Sequence, residues 1–445
     1  MERDLTVGTV PKQLFRFAIP LFWANVLQSL YSMVDMAVVG HFVGSAGLAA
    51  VSSAAMVGFV ISAVCMGVTM GGTVLTAQAH GARDTAGERE VRSALFCVSA
   101  IAAALVTAAG LLLYRPLFAW MQVPAEAMPH ALEYMEVMCW GTVFVFGYES
   151  ACALLRGLGD GGNPLKTVAA AALLNILLDL LLVGLWGMGT RGAAIATVTA
   201  QGGSFLLALV FLRRAAGKGE KRCRARWSVC RRLLRIGLPS AVQTGAINLS
   251  YLLVTGLFNR YGVTVAAAAG IGLKVNTFAA MPCWAVGRAV TTMAGQNLGA
   301  GNARRAAETA RAGLLYSLLA SFAAMVLVQG FAPQIIGAFD PNPAVVREGV
   351  RYLRVCCSVN CLAYAAMYTC NAFATGVGNA WFAMCNALLH AVAVRLALSW
   401  WLGQALGYGA LGLYWAEMLS PALPCLMACL YFFSGRWKQR VRTAR

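Results

Sequence analysis

Twelve long apolar runs, separated by glycine, proline or charge clusters, are what most constrain this 445-residue chain. A helix needs about 20 apolar residues to cross a bilayer, and inside lipid every backbone polar group must be satisfied within the protein. The runs fall near 14–40, 46–79, 93–114, 131–157, 164–185, 192–213, 234–259, 264–297, 309–331, 346–375, 380–402 and 408–434. They are rich in Ala, Leu and Val and show no sustained two-residue alternation, which argues for helices over barrel strands. The fold class expected is therefore an all-α integral membrane protein with 12 transmembrane helices. With 60% apolar and only 12% charged residues, the chain does not suit a soluble enzyme, a disordered chain or a disulfide scaffold. Met1–Thr9 mixes both signs of charge and runs straight into the first span, so no signal peptide is expected.

The net charge of +18 comes from 35 Lys+Arg against 17 Asp+Glu. Placing the N-terminus inside puts 26 basic residues on inner segments: Arg3, Lys12, Arg16, Arg83, Arg89, Arg92, Arg156, Lys166, ten between Arg213 and Arg235, Arg304, Arg305, Arg311 and five from Arg436 to Arg445. Six lie outside (Arg115, Arg191, Arg260, Arg347, Arg351, Arg354), and Lys274, Arg288 and Arg395 fall within spans. This split predicts both termini in the cytoplasm and makes the basic excess an orientation signal, not a nucleic-acid site. Most of the 14 cysteines lie in apolar runs, where a thiol acts as a small hydrophobe. Cys356, Cys357, Cys361 and Cys370 gather in the tenth run without His or carboxylate partners, and His41, His80, His130 and His390 have no ligand spacing.

The chain also repeats itself. Arg16–Pro20 aligns with Arg235–Pro239, Ala77–Ala82 with Gly295–Ala300, Arg156–Asp160 with Thr375–Asn379, and Gly189–Gly192 with Gly409–Gly412, at offsets of 218 to 220. Each half has six spans, so both halves enter the membrane in the same sense. Two six-helix bundles related by a pseudo-twofold along the membrane normal follow. The expected organisation is an N-lobe at 1–213, a basic inter-lobe loop at 214–233, a C-lobe at 234–434 and a basic tail at 435–445.

Ionisable residues inside spans are costly and are functional candidates by default. Asp35 in the first span and Asp179 in the fifth have no opposite charge near them in sequence, and Asn175 shares a helix face with Asp179. Such carboxylates can exchange a proton or hold sodium with amide and hydroxyl oxygens. At the 219-residue shift Asp35 meets Val254 and Asp179 meets Leu398, so ion chemistry is expected in the first half only. Lys274 and Arg395 pair with carboxylates or face a watery cavity; Arg288 and Glu417 sit nearer span ends. Glu133 and Glu136 are expected at the outer interface, and Glu149 within reach of Arg156. Pro20 and Pro239 open the first span of each half, kinking those helices or marking their starts. Gly157, Gly159, Gly161 and Gly162 before Asn163-Pro164 form a tight inner turn, not a phosphate cradle, since no Walker sequence follows.

The ordered segments Pro20…Gln28-Ser-Leu-Tyr31-Ser-Met-Val-Asp35…Gly40, Thr76–Ala82, Leu155–Asp160, Asn175–Asp179, Gly189–Val198 and Gly295–Ala300 resemble the multidrug and toxic compound extrusion (MATE) family over nearly the whole chain. The resemblance implies a V-shaped pair of six-helix lobes and drug/cation antiport of large amphipathic cations. It implies an N-lobe ion site at Asp35, Asn175, Asp179 and Thr197, with Thr199 close by. The branch that binds sodium through acids in the seventh and tenth spans is not matched. The coupling ion is H+ or Na+; no cofactor is expected, and no metal unless sodium binds at Asp35, Asn175 and Asp179. Candidate cavity residues are Gln28, Tyr31, Met33, Tyr148, Gln243, Asn248, Tyr251, Lys274, Phe278, Met281 and Arg395. The partners expected are organic cations and the lipid bilayer of a bacterial-type plasma membrane, with the protein acting as a monomer. A lipid-linked sugar flippase of the same superfamily is the alternative. An intramembrane enzyme or receptor is remote, because no nucleophile or metal set is visible.

Overall fold

The structure is a computed structural model and describes residues 4–216 and 224–438. Among the described residues it is entirely helical. In order come α1 (Val10–Phe42), α2 (Ser45–Gly81), α3 (Thr85–Trp120), α4 (Met128–Gly157), α5 (Gly162–Asp179), a π-helical turn (Leu180–Leu185) and α6 (Gly189–Ala216). The second series is α7 (Trp227–Asn259), α8 (Val263–Gly299), α9 (Ala303–Phe339), α10 (Pro343–Cys356), α11 (Val359–Gly376) and α12 (Ala380–Leu388). A π turn (Leu389–Val394), α13 (Arg395–Trp400), a second π turn (Trp401–Ala405), α14 (Gly409–Leu419) and α15 (Ala422–Phe433) complete it. Eleven of the resulting helical segments are long and apolar enough to cross a membrane. Large side chains such as Leu112, Trp120, Leu185 and Val263 stand three-quarters or more exposed, a surface that acyl chains solvate and water does not.

The expected tenth span, 346–375, is not continuous. It is split into α10 and α11 by a break at Cys357–Ser358. The freed backbone groups have specific partners. The Gln329 amide donates to the carbonyls of Leu353, Arg354 and Cys357 at 3.2, 3.3 and 2.8 Å. Asn360 donates to the Cys356 carbonyl and accepts from the Ser358 N–H, at 2.7 and 3.0 Å. The apolar pattern runs through this break because the residues that satisfy it are isolated amides, which barely change local hydropathy. The last span is also interrupted, at Ser420–Pro421, where Pro421 has no N–H to continue the ladder.

The inter-lobe loop is shorter than expected. α7 begins at Trp227, so Arg231 and Arg232 are helical and exposed, while Val229, Cys230 and Leu233 beside them are buried. The charges mask an amphipathic first turn. Lys218, Lys221 and Arg222 of this loop, Arg440, Arg442 and Arg445 of the tail, and Arg3 lie outside the described residues.

The chain divides into two compact units. Unit 1 is Met1–Asp4 with Ile19–Ala241, and unit 2 is Leu5–Ala18 with Val242–Arg445. The handover therefore falls inside α1 and α7, close to Pro20 and Pro239, and not between 213 and 234. Within unit 1, Gly67 and Gly71 of α2 let the backbone of α7 approach: a Cβ at Gly71 would lie 2.5 Å from the Leu233 carbonyl oxygen. Within unit 2, Leu5 is buried, its N–H donates to Gln296 at 3.2 Å, and Arg305 donates to the carbonyls of Gly8 and Val7 and to Gln13 at 2.7–2.9 Å. The Gly295-Gln296-Asn297 segment thus has a structural task, holding the segment ahead of α1. Arg305→Ala removes these charge-assisted bonds, worth about 1–3 kcal/mol of local stability. Tryptic cleavage at the exposed Lys12 should accelerate roughly ten-fold, read as a cleavage time course on gels.

The repeat is visible in buried detail. Thr73 donates to the Ala153 carbonyl at 3.2 Å in unit 1, and Thr291 to the Ala372 carbonyl at 2.9 Å in unit 2. The Ser150–Ser99 hydrogen bond of 2.7 Å is matched by Thr369–Ser317 at 2.8 Å. Asp84 and Asn302 cap α3 and α9 by accepting from the N–H three residues on, at 2.8 and 2.9 Å. Ser150→Ala leaves a buried hydroxyl without its partner and should cost about 1–3 kcal/mol, whereas the double change with Ser99→Ala should recover most of it; melting of the detergent-purified variants measures both.

Candidate functional site

Four elements of unit 1 meet around the two intramembrane aspartates. Asp35 comes from the last third of α1. Asn175 and Asp179 come from the last turn of α5, where the chain passes into the π turn Leu180–Leu185. That turn is closed by the Trp186 N–H on the Leu181 carbonyl at 2.9 Å, a five-residue spacing that re-aims the backbone just after Asp179. Thr197 comes from α6, where its hydroxyl accepts from the Asn175 amide at 3.4 Å. Thr199, two residues on, is exposed, so Thr197 is the threonine that meets this group.

Asp179 is fully buried, Asn175 is 2% exposed, and Asp35 is half-buried. The Asp35 and Asp179 carboxyl groups lie close enough to act on each other electrostatically. Among the described residues, no N–H or O–H reaches Asp35 Oδ1, either Asp179 oxygen or the Asn175 carbonyl oxygen. Two neighbouring carboxyl groups, with no Lys or Arg among the described groups that act on them, favour something positive between them: a shared proton or a cation. Tyr31 of α1 and Tyr134 of α4 border the group. Tyr134 was not foreseen from sequence. A tyrosine in an apolar run carries no signal that it borders a site three helices away in the chain.

The remaining first-half candidates separate. Gln28 and Met33 are exposed on α1, while Tyr148 is 6% exposed and packs with Ala151, Cys152, Val168 and Ala208 in the interior of unit 1. Glu149 pairs with Arg156 at 3.3 Å, as the sequence predicts, and Glu133 and Glu136 are exposed.

Unit 2 carries a different arrangement. Arg395 is 1% exposed, and its Nε donates to Glu417 Oε2 at 2.6 Å. Its guanidinium lies 4.2 Å from the centre of the Tyr251 ring. Glu417 is 8% exposed and so is a buried partner, not a span-end residue. Beside this pair is a cavity holding about 590 Å³ of empty space including its mouth, walled by Tyr251, Trp284, Tyr364, His390 and Glu417 among others. Trp284 donates to the Tyr364 hydroxyl at 3.2 Å, and His390 Nε2 meets Ser420 at 3.3 Å. Tyr251 is thus a wall residue. Lys274 and Phe278 are exposed, Met281 is 3% exposed in the packed interior, and Gln243 and Asn248 are half-buried on α7.

The equivalence of Asp179 with Leu398 needs correction. Left-handed glycines mark the repeat: Gly159 and Gly378 are 219 apart, but Gly187 and Gly407, and Gly189 and Gly409, are 220 apart. One residue is added between them, and the π turn Leu389–Val394, which has no counterpart in α5, provides a place to absorb it. Beyond this turn the offset is 220, so Asp179 corresponds to the buried Ser399.

A duplicated polytopic bundle with unpartnered carboxyl groups buried inside its spans is the construction of a secondary transporter. The comparisons with known proteins agree and name the family. The MatE family model matches residues 20–181 and again 239–401, one match per repeat, and the chain belongs to that family; its members are transporters and not enzymes. The chain is 27% identical over 448 residues to the probable multidrug resistance protein YpnP of Bacillus subtilis, covering 98% of this chain and 97% of the relative. It is 26% identical over 445 residues to the probable multidrug resistance protein NorM of Thermotoga maritima, covering 99% and 96%. A solved structure titled as an outward-facing multidrug resistance MATE family transporter superposes with a TM-score of 0.91 at 21% identity, covering 99% of this chain and 98% of that one. The two-lobe MATE fold expected from the sequence is therefore the fold of this chain.

Proposed function

We propose that the protein is a multidrug efflux antiporter that exports cationic amphipathic compounds by alternating access, in exchange for protons or sodium ions. The observation that carries this is the neighbouring pair Asp35–Asp179, whose oxygens meet no donor among the described residues. Asn175 and Thr197 add the amide and hydroxyl oxygens that a bound cation would use. Entry of the ion neutralises the pair and changes what α1 and α5 can pack against. Release restores the mutual repulsion, so occupancy biases two arrangements of the unit. The multidrug names of the relatives YpnP and NorM support the substrate class. The 26-to-6 distribution of basic residues supports cytoplasmic termini in a bacterial-type plasma membrane.

A lipid-linked sugar flippase would need a cationic cavity for its pyrophosphate. Arg395 does not serve that role, since Glu417 neutralises it. Purified protein in liposomes, with proton and sodium gradients imposed separately, tests the proposal against a panel of organic cations. Gradient-driven uptake of at least one cation is expected. Uptake that ignores both gradients would sink the antiport reading.

A further inference from the structure

In the corrected register, Arg395 corresponds to Asn175 and Glu417 to Thr197, both at an offset of 220. The contact is conserved in place but not in chemistry. Asn175 donates to Thr197 at 3.4 Å in unit 1, and Arg395 donates to Glu417 at 2.6 Å in unit 2. The acids of unit 1 have no equivalents here: Ser399 stands for Asp179, and Val254 for Asp35, both buried. Unit 2 therefore has a carboxylate of its own at the position of Thr197 and supplies a fixed guanidinium to it. Tyr251 closes over that guanidinium face-on.

We propose that Arg395 is a tethered cation: it takes, in unit 2, the place that an exchangeable cation takes in unit 1, so that unit 2 needs no coupling ion. The inference rests on the reading of unit 1 as an ion site. It assigns Arg395 as the residue that confines ion coupling to one half of a duplicated protein. The other titratable groups facing the pair are Tyr251, Tyr352, Cys356, Cys357 and His390, and none of them is a carboxyl group. Removing the guanidinium while keeping Glu417 would strand a carboxylate, and the site should then recruit a proton or sodium in its place.

The experiment uses the full chain in detergent, carrying Asp35→Asn and Asp179→Asn so that unit 1 is silent. Melting is followed in acidic and alkaline buffer, with and without sodium. On this background the parent should gain nothing from sodium, and its change between acidic and alkaline buffer is the baseline against which the variants are read. Adding Arg395→Gln should lower melting by roughly 5 °C or more in alkaline, sodium-free buffer, with most of the loss restored by acid or by sodium. The pair Arg395→Asn with Glu417→Thr, which copies unit 1, should show no such dependence. Should Arg395→Gln fail to fold, Glu417→Gln decides instead: it retains the built-in cation and should gain nothing from acid or sodium. Cation-independent melting of Arg395→Gln, cation-dependent melting of the Asn/Thr pair, or a gain in Glu417→Gln would each overturn the proposal. The unit 1 reading fails separately, if Asp35→Asn alone leaves gradient-driven transport intact.

Discussion

Asp35→Asn and Asp179→Asn should each reduce ion-driven uptake into liposomes roughly ten-fold or more, while equilibrium binding of the transported cation is largely kept. An ion shifts a conformational equilibrium only by its differential affinity for the two states, and typical couplings of about 1–3 kcal/mol correspond to 5- to 150-fold. An amide at either position removes one of the two neighbouring carboxyl groups that together call for a proton or cation, yet preserves side-chain volume. The loss should therefore appear in coupling and not in folding. Thr197→Val should weaken uptake less, since it deletes one neutral hydroxyl at the Asn175 amide. Thr199→Val is the matched control, because Thr199 is exposed and should leave uptake unchanged. Equal loss in both threonine variants would remove Thr197 from the site.

The second large effect concerns packing. Gly376→Val at the end of α11 should destabilise the protein by about 3 kcal/mol or more. A Cβ there would lie 2.5 Å from the Thr291 carbonyl oxygen and 2.9 Å from the Thr291 Cα, both backbone atoms of α8 that no rotamer change can move. Gly157, its counterpart 219 residues earlier, is also closely placed, with a Cβ falling 2.9 Å from the Thr73 carbonyl oxygen. Gly256→Ala is the contrast: nothing lies within 4 Å of its Cβ, and a helical alanine should be neutral or stabilising by a few tenths of a kcal/mol. Melting and monodisperse yield in detergent measure both. Normal yield and melting of Gly376→Val would show that α8 and α11 can separate without cost.

Much of this was legible in the sequence because it is carried by local patterns. Spans announce themselves through length and hydropathy, and glycine pairs such as Gly159/Gly378 and Gly189/Gly409 repeat because each supplies a left-handed turn that other residues resist. The aspartates stand out because few other carboxylates interrupt apolar runs. Less was legible where a residue's meaning depends on what lies across from it. The break at Cys357–Ser358 is held by Gln329 from another helix, and Glu417 reads as a span-end acid until Arg395 is seen opposite. The offset of 220 at Gly189/Gly409 showed a single-residue shift, but its place at Leu389–Val394 was hidden, since a π turn adds a residue without changing apolar character.

The sequence by itself determined the class: a duplicated twelve-span membrane protein with two acids in its first half. Apolar length and charge asymmetry are properties of the chain's own residues, and a bilayer sorts them without reference to distant contacts. Only the tertiary structure decided that Asp35 and Asp179 are neighbours, that Thr197 rather than Thr199 meets Asn175, and that Arg395 and Glu417 sit at the repeat-related contact. Those are distances between helices far apart in sequence, and packing sets them. Hydropathy cannot report which face of one helix meets which face of the next.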